Sequence, residues 1–138
     1  MLKKRKEVVV LEPDATRFQW IQSALKEWPN SPKLLHFKHQ ERLLHYLSQE
    51  RVERHSFFLI DARQAKKNKG LLLQLLREHT PHRFTPIVLA CPHAAEEDSC
   101  LLADKRVNAT VMLPPEKNSF QEKIRSTFTF WGRFNITT

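Results

Sequence analysis

Phe57-Phe58-Leu59-Ile60-Asp61 is an apolar run that stops abruptly on a carboxylate. A run this short, bounded by polar residues, fits a strand buried on both faces, the kind found in parallel sheets covered by helices. Asp61 then stands at the carboxyl end of its strand, and in open α/β sheets that edge forms the ligand crevice. A second acid matches it, because Val8-Val9-Val10-Leu11 runs into Glu12. Two carboxylates at neighbouring strand ends can share a divalent cation or present one of themselves as a nucleophile. Either acid alone is equally explained as a strand end facing water; the pair is what points to a site.

Strand and helix signals alternate outward from this segment. Residues 7–12 read as a first strand, and Pro13-Asp14 as a turn into an amphipathic helix with Phe18, Ile21, Ala24, Leu25 and Trp28 at helical spacing. Asp14 is placed to be its N-cap, so this acid can serve the helix as well as the crevice. Leu34, Leu35 and Phe37 suggest a second strand, and Leu43, Leu44 and Leu47 the inner face of a second helix. After Asp61 come a polar loop and a helix from Leu71 to Leu76. Pro86 to Cys91 reads as a fourth strand, Ala94 to Ala103 as a fourth helix, Ala109 to Leu113 as a fifth strand, and Phe120, Ile124, Phe128 and Trp131 mark a final helix. Five such alternations predict one doubly wound (βα)5, flavodoxin-like α/β domain with a parallel five-stranded sheet over residues 1–138, between a basic N-terminal tail (1–6) and a C-terminal tail (132–138).

At 138 residues the chain has room for one core and not for two ordinary domains. No apolar stretch approaches the roughly 20 residues of a membrane span, and a cytoplasmic location is expected. Cys91 and Cys100 are too few for a disulfide framework, and a reducing compartment suits them. Only two glycines are present, Gly70 and Gly132, so there is no glycine-rich phosphate loop. The histidine pairs His36/His39 and His79/His82 lack the flanking ligands of a metal site. The formal charge of +8 favours acidic partners, nucleic acid among them. Yet its clusters at Lys3 to Lys6 and at Lys66, Lys67 and Lys69 have no interleaved aromatics on which bases could stack. A hydrolase or phosphotransferase lacks a convincing nucleophile and base pair.

With these elements in place the chain resembles a two-component response regulator receiver domain, CheY-like in order and spacing over essentially its whole length. Val8 to Asp14 stands where the family has its acidic pair, and Phe57 to Asp61 where it has the strand carrying the phosphoacceptor. Gly70-Leu71 resembles the opening of the third helix, Pro86 to Cys91 the fourth strand with its terminal hydroxyl residue, and Thr110 to Pro114 the segment that normally reads aromatic, two apolar residues, lysine, proline. Glu12, Ile21-Gln22, Ala24-Leu25, Val107-Asn108 and Phe130-Trp131 make it most similar to the stand-alone regulators of cyanobacterial and bacterial phytochromes.

The resemblance implies Asp61 as the phosphoacceptor position, Glu12 and Asp61 as ligands of a Mg²⁺ ion, and Asp14, Cys91, Thr110 and Leu113 as crevice and switch positions. It also implies departures. The second acid is Pro13, the hydroxyl residue is Cys91, the switch aromatic is Thr110 and the lysine is Leu113. The family's chemistry needs a metal and a positive charge on the phosphoryl oxygens. The expected site is therefore a degenerate one, with weak or no phosphorylation and a weak Mg²⁺ site, unless Lys66, Lys67 or Lys69 supplies the charge. A cis Leu113-Pro114 bond is also implied, as the family's Lys-Pro bond commonly is. The implied function is that of a non-enzymatic phosphorelay protein that contacts a sensor histidine kinase or another signalling protein. The implied homodimer contact is the fourth helix, fifth strand and fifth helix, with Phe128, Trp131 or Phe134 as anchors. The competing expectation is a basic nucleic-acid-binding adaptor on the same fold.

Overall fold

The computed structural model describes residues 6–49, 55–78, 83–92 and 105–132. Five strands, β1 (Glu7–Leu11), β2 (Lys33–Phe37), β3 (Phe57–Asp61), β4 (Ile87–Pro92) and β5 (Ala109–Leu113), form one sheet in the order β2-β1-β3-β4-β5. Every adjacent pair is parallel. The helices among the described residues are α1 (Ala15–Leu25), α2 (Gln40–Leu47), α3 (Ala62–Lys66), α4 (Leu71–Glu78) and α5 (Lys117–Gly132). The strand order reverses between β1 and β3, which makes their carboxyl ends the topological switch point where such sheets open a crevice. The anticipated helix over 94–103, the residues 1–5, the pair His79/His82, and Cys100 and Phe134 lie outside the described residues.

Alternation along each strand divides the core into two layers. Val8, Val10, Phe57, Leu59, Val88 and Ala90 pack with Ile21, Ala24 and Leu25 of α1 and Phe120, Ile124 and Phe128 of α5. Val9, Leu11, Phe58, Ile60, Leu89 and Cys91 pack on the opposite side with Leu43 and Leu47 of α2, Ala62 and Ala65 of α3, and Leu72, Leu73 and Leu76 of α4. All of β3 is buried. The central strand is thus sealed between helices on both faces, which is why its sequence shows a continuous apolar run.

Two local expectations are corrected. The segment after Asp61 is not an irregular polar loop, because α3 starts at once and passes through a 3-10 turn, Lys67–Gly70, into α4. That turn carries three consecutive left-handed residues, Asn68, Lys69 and Gly70 at φ of 55°, 57° and 79°. The Leu113–Pro114 peptide is trans, as are all the described peptide bonds.

The end of the sheet away from the crevice is tied by one arginine. Arg77 on α4 donates from Nε to the Arg106 carbonyl (3.0 Å), from Nη1 to the Arg83 and Thr85 carbonyls (3.1 and 2.7 Å), and from Nη2 to Asn108 Oδ1 (2.6 Å). Asn108 Oδ1 also accepts from the Ile87 amide (2.8 Å). The entries to β4 and β5 are thereby fixed to α4, which sets the register that carries Ala90 beside Asp61 and Leu113 beside Pro92.

Candidate functional site

The parity of the strands decides which side chains meet at the crevice. Counting in twos from Val8 and Val10 puts Glu12 on the α1/α5 side, and counting from Phe57 and Leu59 puts Asp61 there as well. The two acids line a cavity of about 330 Å³ with Asp14, Arg17, Trp20, Ala90, Leu113 and Pro114. Of the residues singled out from the sequence, Glu12, Asp14, Asp61 and Leu113 are brought together. Cys91 is not, since its side chain is buried one position out of phase, in the α2/α3/α4 layer, and Ala90 takes the crevice position. Thr110, paired with Leu89 and half-buried within β5, does not line the cavity either.

Both acids are almost fully buried, Glu12 at 4% and Asp61 at 2% exposure. Buried carboxylates need partners, and here each has them. Glu12 Oε2 accepts from the Asp14 amide at 3.0 Å and from Arg17 Nη2 at 3.2 Å. Burial nevertheless pushes the Glu12 carboxyl above its ordinary pKa, against the pull of the Asp14 amide and of Arg17; the nearby Asp61 adds to the upward shift. Asp61 Oδ1 is the N-cap of α3, accepting from the Arg63 and Gln64 amides at 2.9 and 3.2 Å. Its Oδ2 accepts from Arg63 Nη2 at 3.3 Å and lies 4.0 Å from Arg17 Nη2. The Asp61 bond in turn holds Arg63 more firmly protonated than usual.

Asp14 acts as the cap of α1, its Oδ1 accepting from the Arg17 amide at 3.0 Å. That bond lowers its pKa, and the side chain is exposed at the rim. Leu113 closes the far wall at 5% exposure and brings no charge. Lys66, Lys67 and Lys69 are exposed and none lines the cavity. The cations that meet the acids are Arg17 and Arg63, which sequence reading passed over. A signal for them existed: each follows an N-capping acid, Asp14 or Asp61, within the first turn of the helix it opens, so each side chain is launched from the crevice end of its helix.

No protein-family model and no curated protein matches the chain in sequence. Solved structures match it in shape. The Mn²⁺-bound form of response regulator Rcp1 superposes with a TM-score of 0.78 at 17% identity, over 96% of this chain and 97% of that one. The phosphorylated cyanobacterial phytochrome response regulator RcpA gives 0.79 at 18% identity, over 93% and 94%. Response regulator RPA3017, in red light signaling of R. palustris, gives 0.74 at 18% identity, over 96% and 99%.

This chain has the fold of a response regulator receiver.

Within the receiver fold, the crevice residues can be tested as ligands of a divalent cation. Mg²⁺ demands an octahedral shell of oxygens, usually one or two carboxylates with several waters. Here the two buried carboxylates face two guanidinium groups, so those four side chains sum to zero and only Asp14 at the rim adds a further negative charge. Asp14 is occupied as a helix cap, and proline stands between it and Glu12. Among the described residues no group of three or more His, Cys, Asp or Glu side chains is placed to hold a metal ion. With Arg17 and Arg63 on the two buried acids, the crevice does not fit a divalent cation.

Proposed function

We propose that this chain is a receiver-like signalling module of a two-component phosphorelay that works by protein contact, with little or no phosphoryl group on Asp61. The observation that carries this reading is the state of the crevice. Asp61 is spent as a helix cap and ion-pair acceptor, and Leu113 is buried where the family resemblance calls for a lysine. Phosphoryl transfer depends on positioned positive charge at the transferred group, so an apolar wall there removes a main source of stabilisation. The likeness to a phytochrome response regulator and to a response regulator of red light signaling supports the signalling class. The partner in this reading is a sensor histidine kinase or another signalling protein, the location is cytoplasmic, and no catalytic turnover is involved.

The homodimer surface proposed with it runs over β5 and α5. Phe128 is not an anchor there, being fully buried edge-to-face against Phe57 at 5.0 Å. Phe130, 71% exposed, and Met112 on β5 are the apolar groups this surface presents among the described residues. The nucleic-acid alternative has only the net charge of +8 in its favour.

The test is intact mass spectrometry after exposure to a small acyl phosphate donor with Mg²⁺. The expected spectrum shows the unmodified mass. Robust, Mg²⁺-dependent labelling that Asp61→Asn abolishes would return the chain to the phosphorylated receivers.

A further inference from the structure

One atom of Arg17 lies where a cation shared by the two acids would lie. Its Nη2 is 3.2 Å from Glu12 Oε2 and 4.0 Å from Asp61 Oδ2, reaching both carboxylates at the switch point of the sheet. We infer that Arg17 is the resident cation of this crevice, a side chain that takes the role of a divalent metal and makes the site indifferent to one. The inference rests on the receiver reading of the crevice and specifies what governs it.

Three features support the assignment. First, the Arg17 backbone amide is held by the Asp14 cap at 3.0 Å, so the base of the side chain is fixed at the first turn of α1 and the guanidinium is aimed into the crevice. Second, Arg17 Nε is buried and has no hydrogen-bond partner among the described residues. Its hydrogen bond to Glu12 and its ion pair with Asp61 both run through Nη2. A guanidinium is charged at every working pH and is less strongly hydrated than an ammonium, so it tolerates this partly buried position. Third, Arg63 completes the neutralisation from the other side but is 53% exposed, able to swing away, whereas Arg17 is 23% exposed and sits between the two acids. An incoming dication must displace Arg17 and leave its charge close by in a confined space. The repulsion grows as the inverse of the distance and is screened less beside two nearly buried carboxylates than at an open surface.

Removing Arg17 therefore should convert a metal-indifferent crevice into a metal-responsive one. The experiment titrates MnCl₂ into the wild-type chain, Arg17→Gln and Arg17→Lys, following the thermal midpoint and tryptophan fluorescence, because Trp20 lines the same cavity. At about 10 mM Mn²⁺ the wild type and Arg17→Lys are expected to show no shift, while Arg17→Gln shows a rising midpoint and quenched emission. Adding Glu12→Gln to Arg17→Gln should abolish both responses. Site-linked Mn²⁺ binding by the wild type overturns the inference even if no variant folds, and so does an Arg17→Gln protein that folds and ignores Mn²⁺. Either result leaves the signalling reading intact, because that reading is scored by phosphoryl labelling and not by metal response.

Discussion

Asp61→Asn and Asp61→Ala should separate sharply in stability, and their difference measures what this carboxylate does. Asp61 Oδ1 accepts two backbone amides at the start of α3, and Oδ2 accepts from Arg63. Asparagine keeps an oxygen at the capping position and ranks with aspartate as an N-cap, so its cost is the charge alone, about 1 kcal/mol or less. Alanine removes the cap, worth about 1–2 kcal/mol, and the pair with half-exposed Arg63, worth about 0.5 kcal/mol, for a total near 2 kcal/mol. Urea unfolding with an unchanged m-value reads the two directly. A second readout is Glu12, whose carboxyl is pushed up in part by the Asp61 charge; in Asp61→Asn it should titrate lower than in the wild type. On the proposed contact-only mode, partner binding should survive Asp61→Asn. Equal stability of the two variants would refute the capping role, and loss of partner binding in Asp61→Asn alone would refute the contact-only mode.

Three further outcomes follow from other parts of the fold. Arg77→Met should cost about 3 kcal/mol or more, because charged hydrogen bonds contribute about 1.5–3 kcal/mol each and three carbonyls with Asn108 lose their shared donor; Arg77→Lys should recover less than half, and both are read by urea unfolding. Gly70→Ala should cost about 1–2 kcal/mol, since φ there is +79° and a Cβ would come within 2.7 Å of Arg106 Nη2, a flexible tip that must shift; an unchanged thermal midpoint would contradict this. Burial holds His36 below the ordinary histidine value of 6.5, stacked on Phe18 at 3.6 Å with Nε2 bonded to the Glu12 carbonyl. The unfolded chain then takes up this proton first, so the His36 contribution is full above pH 6.5 and lost as pH falls through the folded value; proton NMR should show the low titration, and Phe18→Ala should move it upward.

The architecture was legible because its signals are local and repeat. The central strands β1, β3 and β4 are short apolar runs of the kind a doubly buried parallel sheet requires, while β2 and β5 at the edges are only partly buried, and α1, α2 and α5 follow their strands with amphipathic spacing. Asp14 as a cap was legible for the same reason, being a polar residue immediately before a periodic helix. What failed to read were features set by tertiary context. The 3-10 turn at Lys67–Gly70 places two ordinary residues, Asn68 and Lys69, in left-handed conformations that only the glycine after them advertises. Phe128 looked like surplus aromatic surface because nothing local tells that Phe57 lies across from it. The placement of Cys91 turns on a different signal. Chain position placed it at a strand end, but the period of two, already available in Ala90-Cys91, puts its side chain on the face away from the acids.

The departures at the crevice make sense together when charge is counted. In the receiver pattern that the chain resembles, three acids are balanced by one lysine and one divalent cation. Here an acid and the lysine are both gone, as Pro13 and Leu113, and the remaining Glu12 and Asp61 are balanced by Arg17 and Arg63. The two buried acids are thus neutralised by side chains alone, with Asp14 adding one negative charge at the exposed rim. Buried acids already paired with guanidinium groups offer little electrostatic gain to an incoming ion, and a lysine restored at 113 alone would meet both buried acids already paired, in a 5% exposed position. The losses at 13 and 113 are therefore coupled to Arg17: its removal alone frees the two acids for a cation, whereas an acid at 13 or a lysine at 113 still meets the two guanidinium groups while Arg17 is in place. On the proposed contact mode, the crevice presented to a partner would then be shaped by these side-chain pairs and would not change with the divalent ions in solution.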